Sequence, residues 1–311
     1  MGSPATATRM TTPDWGVLVL CAALWGSSYT FNKISLPEIP IFTIAASRLV
    51  IAAVLLHAFA HVTGVRRPST PAQIGPFFIF TLFSNVLPFI FILFGQRETS
   101  SGLTAVLGAT TPLFLTPMAH LLTADEKMQP RKVVGVLVGL AGVIIVFGMD
   151  AFTGWSTSIG AKLSIIFGAF LYAVGAIYSK RFVGYHPIAI AATQMTCGAL
   201  LSLPLALVID RPWLLPVPSA PAITALLATA VLGSALSSVL YFHVLLRGGA
   251  TIAMLTTLLV PVAPILLGAI FLGEHLHTRE AAGTLLIATA LLIIDGRLAA
   301  WVFSKTKRQP A

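Results

Sequence analysis

Arg48 is the one charged residue well inside an apolar run, seven residues past Ile41 and so about 10 Å along a helix. Its burial is costly unless the guanidinium is paired, hydrogen-bonded or wetted. Two readings follow. Arg48 faces a central cavity and attracts a carboxylate on a bound solute, or it snorkels outward or bonds helix carbonyls. The acids lie elsewhere: Asp14, Glu38, Glu98, Asp125, Glu126, Asp150, Asp210, Glu274 and Glu280 all fall at the ends of apolar runs, and Asp295 lies near the end of the last one. An intramembrane proton relay or a pocket for organic cations ordinarily needs a buried carboxylate, so weak or absent proton coupling is expected. No Gly-x-Ser-x-Gly, His-Glu-x-x-His, Cys-x-x-Cys or phosphate-binding loop occurs, which argues against an enzyme and against a metal or other cofactor. His57, His120 and His243 read as hydrogen-bonded structural residues rather than proton carriers.

The remaining polar chemistry collects in particular apolar runs. Trp25, Ser28, Tyr29 and Asn32 share the first, Ser84 and Asn85 the third, Thr110 and Thr111 the fourth, Tyr172 and Tyr178 the sixth, Ser234, Ser237, Ser238 and Tyr241 the eighth, Thr256 and Thr257 the ninth. Such groups bond between helices or line a wet cavity, and as a set they support a cavity. The candidate substrate residues are therefore Trp25, Ser28, Tyr29, Asn32, Arg48, Ser84, Asn85, Tyr172, Tyr178, Ser234, Ser238, Tyr241 and Thr257. Pro88, Pro112, Pro117, Pro261 and Pro264 each remove a backbone donor and invite a kink, which makes them candidate gating positions.

These residues must be held by membrane helices. Of 311 residues 57% are hydrophobic and 9% charged, where soluble domains carry roughly a quarter charged. The net charge of +9 is spread between apolar runs rather than over one face, which excludes nucleic acid as a partner. Cys21 and Cys197 fall inside apolar runs and read as packing residues. With roughly 20 apolar residues needed per crossing, ten spans are expected: Trp15 to Ser35, Ile41 to Ala60, Ile74 to Phe94, Ser101 to Leu122, Val133 to Met149, Ile159 to Ser179, Pro187 to Ile209, Ala222 to Leu246, Thr251 to Leu272 and Arg279 to Phe303. Placing the N-terminus inside puts thirteen Lys and Arg residues in cytoplasmic loops and tails against five outside, so both termini are expected in the cytoplasm.

Landmarks recur at a fixed offset. Leu24-Trp25, Lys33 and Pro40-Ile41 reappear as Leu171-Tyr172, Lys180 and Pro187-Ile188, a shift of 147, while Pro112 and Glu126 reappear as Pro261 and Glu274 at shifts of 149 and 148. This order implies duplication. Because five spans is an odd number, the second copy enters the membrane from the opposite side. The expected architecture is all-α, an inverted repeat of two five-helix halves around a central cavity, with residues 14–150 and 151–303 as the halves and 1–13 and 304–311 as cytoplasmic tails. Gly135, Gly139 and Gly283 in the fifth and tenth spans read as close-packing positions, within the chain or between two copies.

Ala23-Leu24-Trp25-Gly26-Ser27-Ser28, Arg48 after Phe42, Pro112 followed by Glu126, Pro261, and Leu272-Gly273-Glu274 stand in the order and spacing of one family. The chain resembles the drug/metabolite transporter superfamily, in its ten-helix EamA-type branch, and is similar to bacterial aromatic amino acid exporters. Thr123-Ala124-Asp125-Glu126 departs from the Leu-Gly-Glu pattern of the second half. The resemblance implies a cavity lined by the first, third, fourth, sixth, eighth and ninth helices, and export across a bacterial inner membrane.

Phosphorylated sugars would want several cavity cations, and organic cations would want a carboxylate. A neutral or zwitterionic solute with apolar surface remains, best matched by amino acids with aromatic or large apolar side chains. A broad drug or metabolite exporter is the alternative, with a lipid-modifying enzyme or a scramblase behind it. The partners expected are a small-molecule substrate and membrane lipid; monomer and homodimer both stay open.

Overall fold

A computed structural model of the chain describes residues 10–123, 128–148 and 157–295. Glu126, Arg297, most of the N-terminal tail and all of the C-terminal tail lie outside these, and the tenth expected span is described only to Asp295. The regular elements among the described residues are all helices, with no strand. In chain order they form α1 (Thr12–Ser35), α2 (Ile41–Val62), α3 (Pro71–Gln96), α4 (Ser101–Leu122), α5 (Pro130–Phe147), α6 (Thr157–Phe182), α7 (Pro187–Leu214), α8 (Ala220–Arg247), α9 (Leu255–Leu272) and α10 (Thr278–Asp295). Eight of them, α2 to α9, are long and apolar enough to cross a membrane. The protein is therefore a multi-pass membrane protein.

Between α8 and α9 a loop is expected near residues 247–250, yet a single helical stretch runs over Ser237–Leu259. Tyr241 stacks edge-on against Trp25 with ring centroids 5.6 Å apart, while the Val260 carbonyl presses against the neighbouring Gly26. In a straight helix residues 241 and 260 would stand about 28 Å apart. The chain therefore doubles back between them, and α8 and α9 both run along α1.

Two breaks of another kind sit at matched places. α3 and α8 each contain a wide π-helical turn, Leu82–Val86 and Val231–Leu236. In α3 the turn comes just before Pro88, which supplies no N–H to the helix. α4 breaks at Ala109–Thr110, just ahead of Pro112, and α9 at Val260–Pro261. Pro117 and Pro264 lie inside the helical pieces that follow.

α5 and α10 pack on one another to one side, and their small residues decide how closely. A Cβ on Gly142 would lie 2.9 Å from the Gly283 carbonyl oxygen, one on Gly283 would lie 2.7 Å from that of Gly142, and Gly135 and Gly139 face Ala290 and Ile294 of α10. The glycine face of α5 is thus used within the chain.

Elsewhere, residues of the first half reach those of the second through polar clasps at one end of the bundle. Glu38 accepts hydrogen bonds from the Ser219 backbone N–H and hydroxyl, both at 2.6 Å. Asp210 accepts from the Thr43 N–H at 2.6 Å and hydroxyl at 2.8 Å. Glu274 accepts from the Ser101 N–H at 2.9 Å and hydroxyl at 2.6 Å. Each carboxylate thus satisfies free donors at a helix N-terminus, where the helix dipole favours negative charge. Beside them Lys33 donates to the carbonyls of Gln96 and Thr99 at 2.9 and 2.7 Å.

Candidate functional site

Within the bundle a cavity of about 550 Å³ opens toward the opposite end, where the turn between α6 and α7 contributes Val183, Gly184 and Tyr185. Its inner part is organised by Arg48. The guanidinium is buried, 7% exposed, and donates through Nη1 to Ser234 Oγ at 3.3 Å and through Nη2 to Asn85 Oδ1 at 3.2 Å. Both acceptors sit on π-helical turns, Asn85 in that of α3 and Ser234 in that of α8. A wide turn adds one residue to the helical circuit and re-aims the side chains beside it, as is common at functional sites. Phe89 lies under the guanidinium at 3.9 Å, a favourable cation–π contact. Nε has no hydrogen-bond partner, and no carboxylate pairs with Arg48 among the described residues.

Around this centre the walls are aromatic and hydroxylic. Trp25 and Tyr241 form one side; Phe182 and Phe80, with centroids 5.0 Å apart, form another. Gln194 donates to Ser84 Oγ at 2.7 Å, and Ser84 in turn donates to the Phe80 carbonyl at 2.6 Å. No carboxylate lines the cavity among the described residues. The arrangement offers one fixed positive charge, several neutral hydrogen-bonding groups and rings for apolar surface. Its volume is within the roughly 300–1,000 Å³ usual for small-molecule sites.

Of the residues singled out in the sequence, Trp25, Arg48, Ser84, Asn85, Tyr172, Ser234, Ser238 and Tyr241 line this cavity. Ser28, Tyr29, Asn32, Tyr178 and Thr257 do not. Ser28 donates to the Leu24 carbonyl and packs on Gly233. The Tyr29 hydroxyl abuts Gly108. Asn32 is buried and accepts from the Thr229 hydroxyl at 3.3 Å. Tyr178 joins the ring cluster around Phe182, and Thr257 is half-buried in α9. None of Pro88, Pro112, Pro117, Pro261 and Pro264 lines the cavity either.

The lining comes from α1, α2, α3, α6, α7 and α8, so α2 and α7 stand where the resemblance led us to expect α4 and α9. Gln194, Met195, Phe80, Phe182, Tyr185 and Phe242 were missed. Gln194 did carry a signal, as an amide in the middle of an apolar run. His57, His120 and His243 all make structural hydrogen bonds, to Thr196 at 2.7 Å, from the Met128 N–H at 3.2 Å and to Asp14 at 3.0 Å, and none reaches the cavity.

The EamA-like transporter family model matches residues 15–148 and residues 159–295. Similar relatives include the uncharacterized transporter YoaV of Bacillus subtilis (strain 168), 24% identical over 89% of this chain and 94% of its own length. The uncharacterized inner membrane transporter YedA of Escherichia coli (strain K12) is 27% identical over 92% of each chain. A solved crystal structure superposes with a TM-score of 0.64 at 18% identity, covering 96% of this chain and 100% of the other, so the fold is shared.

Proposed function

The chain belongs to the EamA-like transporter family, and from that premise we propose that it is a secondary exporter of neutral or zwitterionic organic solutes, foremost amino acids with aromatic or large apolar side chains. The carrying observation is Arg48, a buried guanidinium with an unpartnered Nε and no carboxylate beside it among the described residues. A buried charge of this kind is stable when a counter-ion arrives, and a substrate carboxylate supplies one in the bidentate geometry that guanidinium favours. Asn85, Ser84, Ser237 and Ser238 offer oxygens to the ammonium group, and the rings of Trp25, Phe80, Phe182 and Tyr241 accept the apolar side chain.

Transport proceeds in this reading by alternating access of two inverted five-helix halves, residues 14–150 and 151–303, in a ten-span protein of the bacterial inner membrane with both termini cytoplasmic. The matched breaks at Pro112 and Pro261 are its hinges. The cavity then opens to the cytoplasm, as an exporter awaiting substrate requires. Coupling to protons is weak or absent in this reading, because no carboxylate lines the cavity among the described residues, and the chain is not an enzyme.

Proteoliposomes holding the purified protein test this directly. Labelled phenylalanine is expected to accumulate saturably, with competition by tryptophan and tyrosine, and counterflow is expected to survive collapse of the pH gradient. Absence of uptake of any amino acid would remove the substrate assignment; uptake strictly dependent on the pH gradient would remove the coupling assignment.

A further inference from the structure

A second pocket, of about 550 Å³, lies outside the transport cavity and shares no residue with it. It sits between the C-terminal part of α2, the turn to α3, the start of α3 and the outer side of α7. α7 therefore carries Gln194 and Met195 toward the cavity, and Thr193, Thr196, Cys197 and Leu200 toward this pocket. Two guanidiniums, Arg66 and Arg67, stand in its wall with the hydroxyls of Ser69 and Thr193. No carboxylate pairs with either arginine among the described residues.

One of the two is held in place. Arg67 Nη1 contacts His57 Nδ1, and His57 Nε2 meets Thr196 Oγ1 at 2.7 Å. A guanidinium only donates, so Nδ1 must accept; Nε2 then carries the ring proton and donates to Thr196. The Thr196 hydroxyl passes its own proton to the Ala192 carbonyl at 2.9 Å. Every member of this chain is satisfied, which anchors Arg67 through a neutral imidazole to the backbone of α7 while leaving its other donors free.

The rest of the wall is apolar: Val65, Pro68, Ile74, Cys197 and Leu200. Leu200 is 58% exposed on a helix that crosses the membrane, so this wall opens to hydrocarbon. A ligand fitting both parts is an anion with an apolar tail, located where the basic ends of α2 and α3 meet the membrane surface. We propose that this pocket binds an anionic phospholipid, its phosphate between Arg66, Arg67 and Ser69 and one acyl chain along Ile74, Cys197 and Leu200. A free phosphate would gain nothing from the apolar wall, and a zwitterionic lipid would place its own cation against the two arginines.

Native mass spectrometry of the full-length protein released from bilayers of mixed phosphatidylglycerol and phosphatidylcholine tests the site. Phosphatidylglycerol should be retained preferentially, and Arg66→Ala with Arg67→Ala should weaken that retention by about tenfold. Arg131→Ala with Lys132→Ala removes equal charge away from the pocket and should change retention less than about twofold. Leu200→Trp keeps both arginines and obstructs the acyl track; it should lower retention by about threefold even if the arginine variant fails to fold. Equal retention of both lipids overturns the proposal, as does loss of phosphatidylglycerol in the Arg131 and Lys132 variant to the same degree. Displacement of the lipid by millimolar inorganic phosphate identifies a soluble-anion site and overturns the lipid assignment.

Discussion

At the end of the bundle where α1 passes into α2, the two halves of the chain are joined by carboxylates. Glu38, Asp210 and Glu274 each grip the N-terminus of a helix from the other half through one backbone N–H and one hydroxyl. At the opposite end the cavity walls carry rings, with Tyr241 and Phe242 on α8 and, facing them, Phe182 at the end of α6 and Tyr185 in the turn to α7. The two ends differ in what opening would cost. A carboxylate clasp exchanges its hydrogen bonds for water, so its net contribution is modest and it is suited to being made and broken. Arg48, between the ends, has no such exchange available, because it is buried and two of its five N–H donors are taken by the π-helical turns of α3 and α8.

The largest expected effect lies at that centre. Arg48→Ala should reduce kcat/KM for phenylalanine by about a hundredfold or more, and Arg48→Lys should recover little of it, since an ammonium cannot bridge Asn85 and Ser234 and still meet a carboxylate in plane. Uptake kinetics in proteoliposomes check both. Next comes a site that belongs to neither end: Gly142→Val drives a side chain into the Gly283 backbone and should destabilise the fold by about 3 kcal/mol, read in thermal unfolding, with KM unchanged in the protein that remains folded.

A change at the clasped end is expected to be smaller and of another kind. Glu274→Ala leaves the Ser101 N–H without its partner and should cost about 2 kcal/mol. It should also speed maleimide labelling of N32C, a position now shielded below the clasps, without altering KM. The smallest effect concerns pH. The Ser219 hydroxyl, and then its backbone N–H, holds the Glu38 carboxyl below its ordinary value of 4.5. A carboxylate depressed in the folded protein stabilises above its unfolded pKa and loses that contribution as the pH falls through the folded one. The clasp is therefore constant from pH 8 to 5 and weakens only below about pH 4. Thermal midpoints of the wild type and Glu38→Gln should differ by a fixed amount across the upper range and converge in acid.

What the sequence revealed and what it hid have physical reasons. The apolar runs were legible because a bilayer leaves little choice of element or length, and Arg48 was legible because a charge within such a run demands a reason. Asn85 and Ser234 followed as polar residues in comparable runs. Ser28, Tyr29 and Asn32 sit within two helical turns of Trp25, yet they turn to Leu24, Gly108 and Thr229. A helix apolar on all sides gives no sign of which face points inward. In α7 the amide of Gln194 was the one sign of the inward face, and nothing marked Met195 as facing the cavity or Leu200 as facing lipid. The reversal between α8 and α9 falls inside the helical stretch Ser237–Leu259, so no run of loop-forming residues marks it. The π-helical turns depend on the register of hydrogen bonds, and in α8 no proline announces one.

The claim on which the account rests is that Arg48 receives a carboxylate from the transported solute. Binding of labelled phenylalanine to the purified protein, competed by 3-phenylpropionate and by phenethylamine, isolates that contact from ring and amine. The account predicts competition by the phenylpropionate, little by the amine, and loss of binding in Arg48→Ala. Equal competition by phenethylamine, or binding that persists in Arg48→Ala, would contradict it.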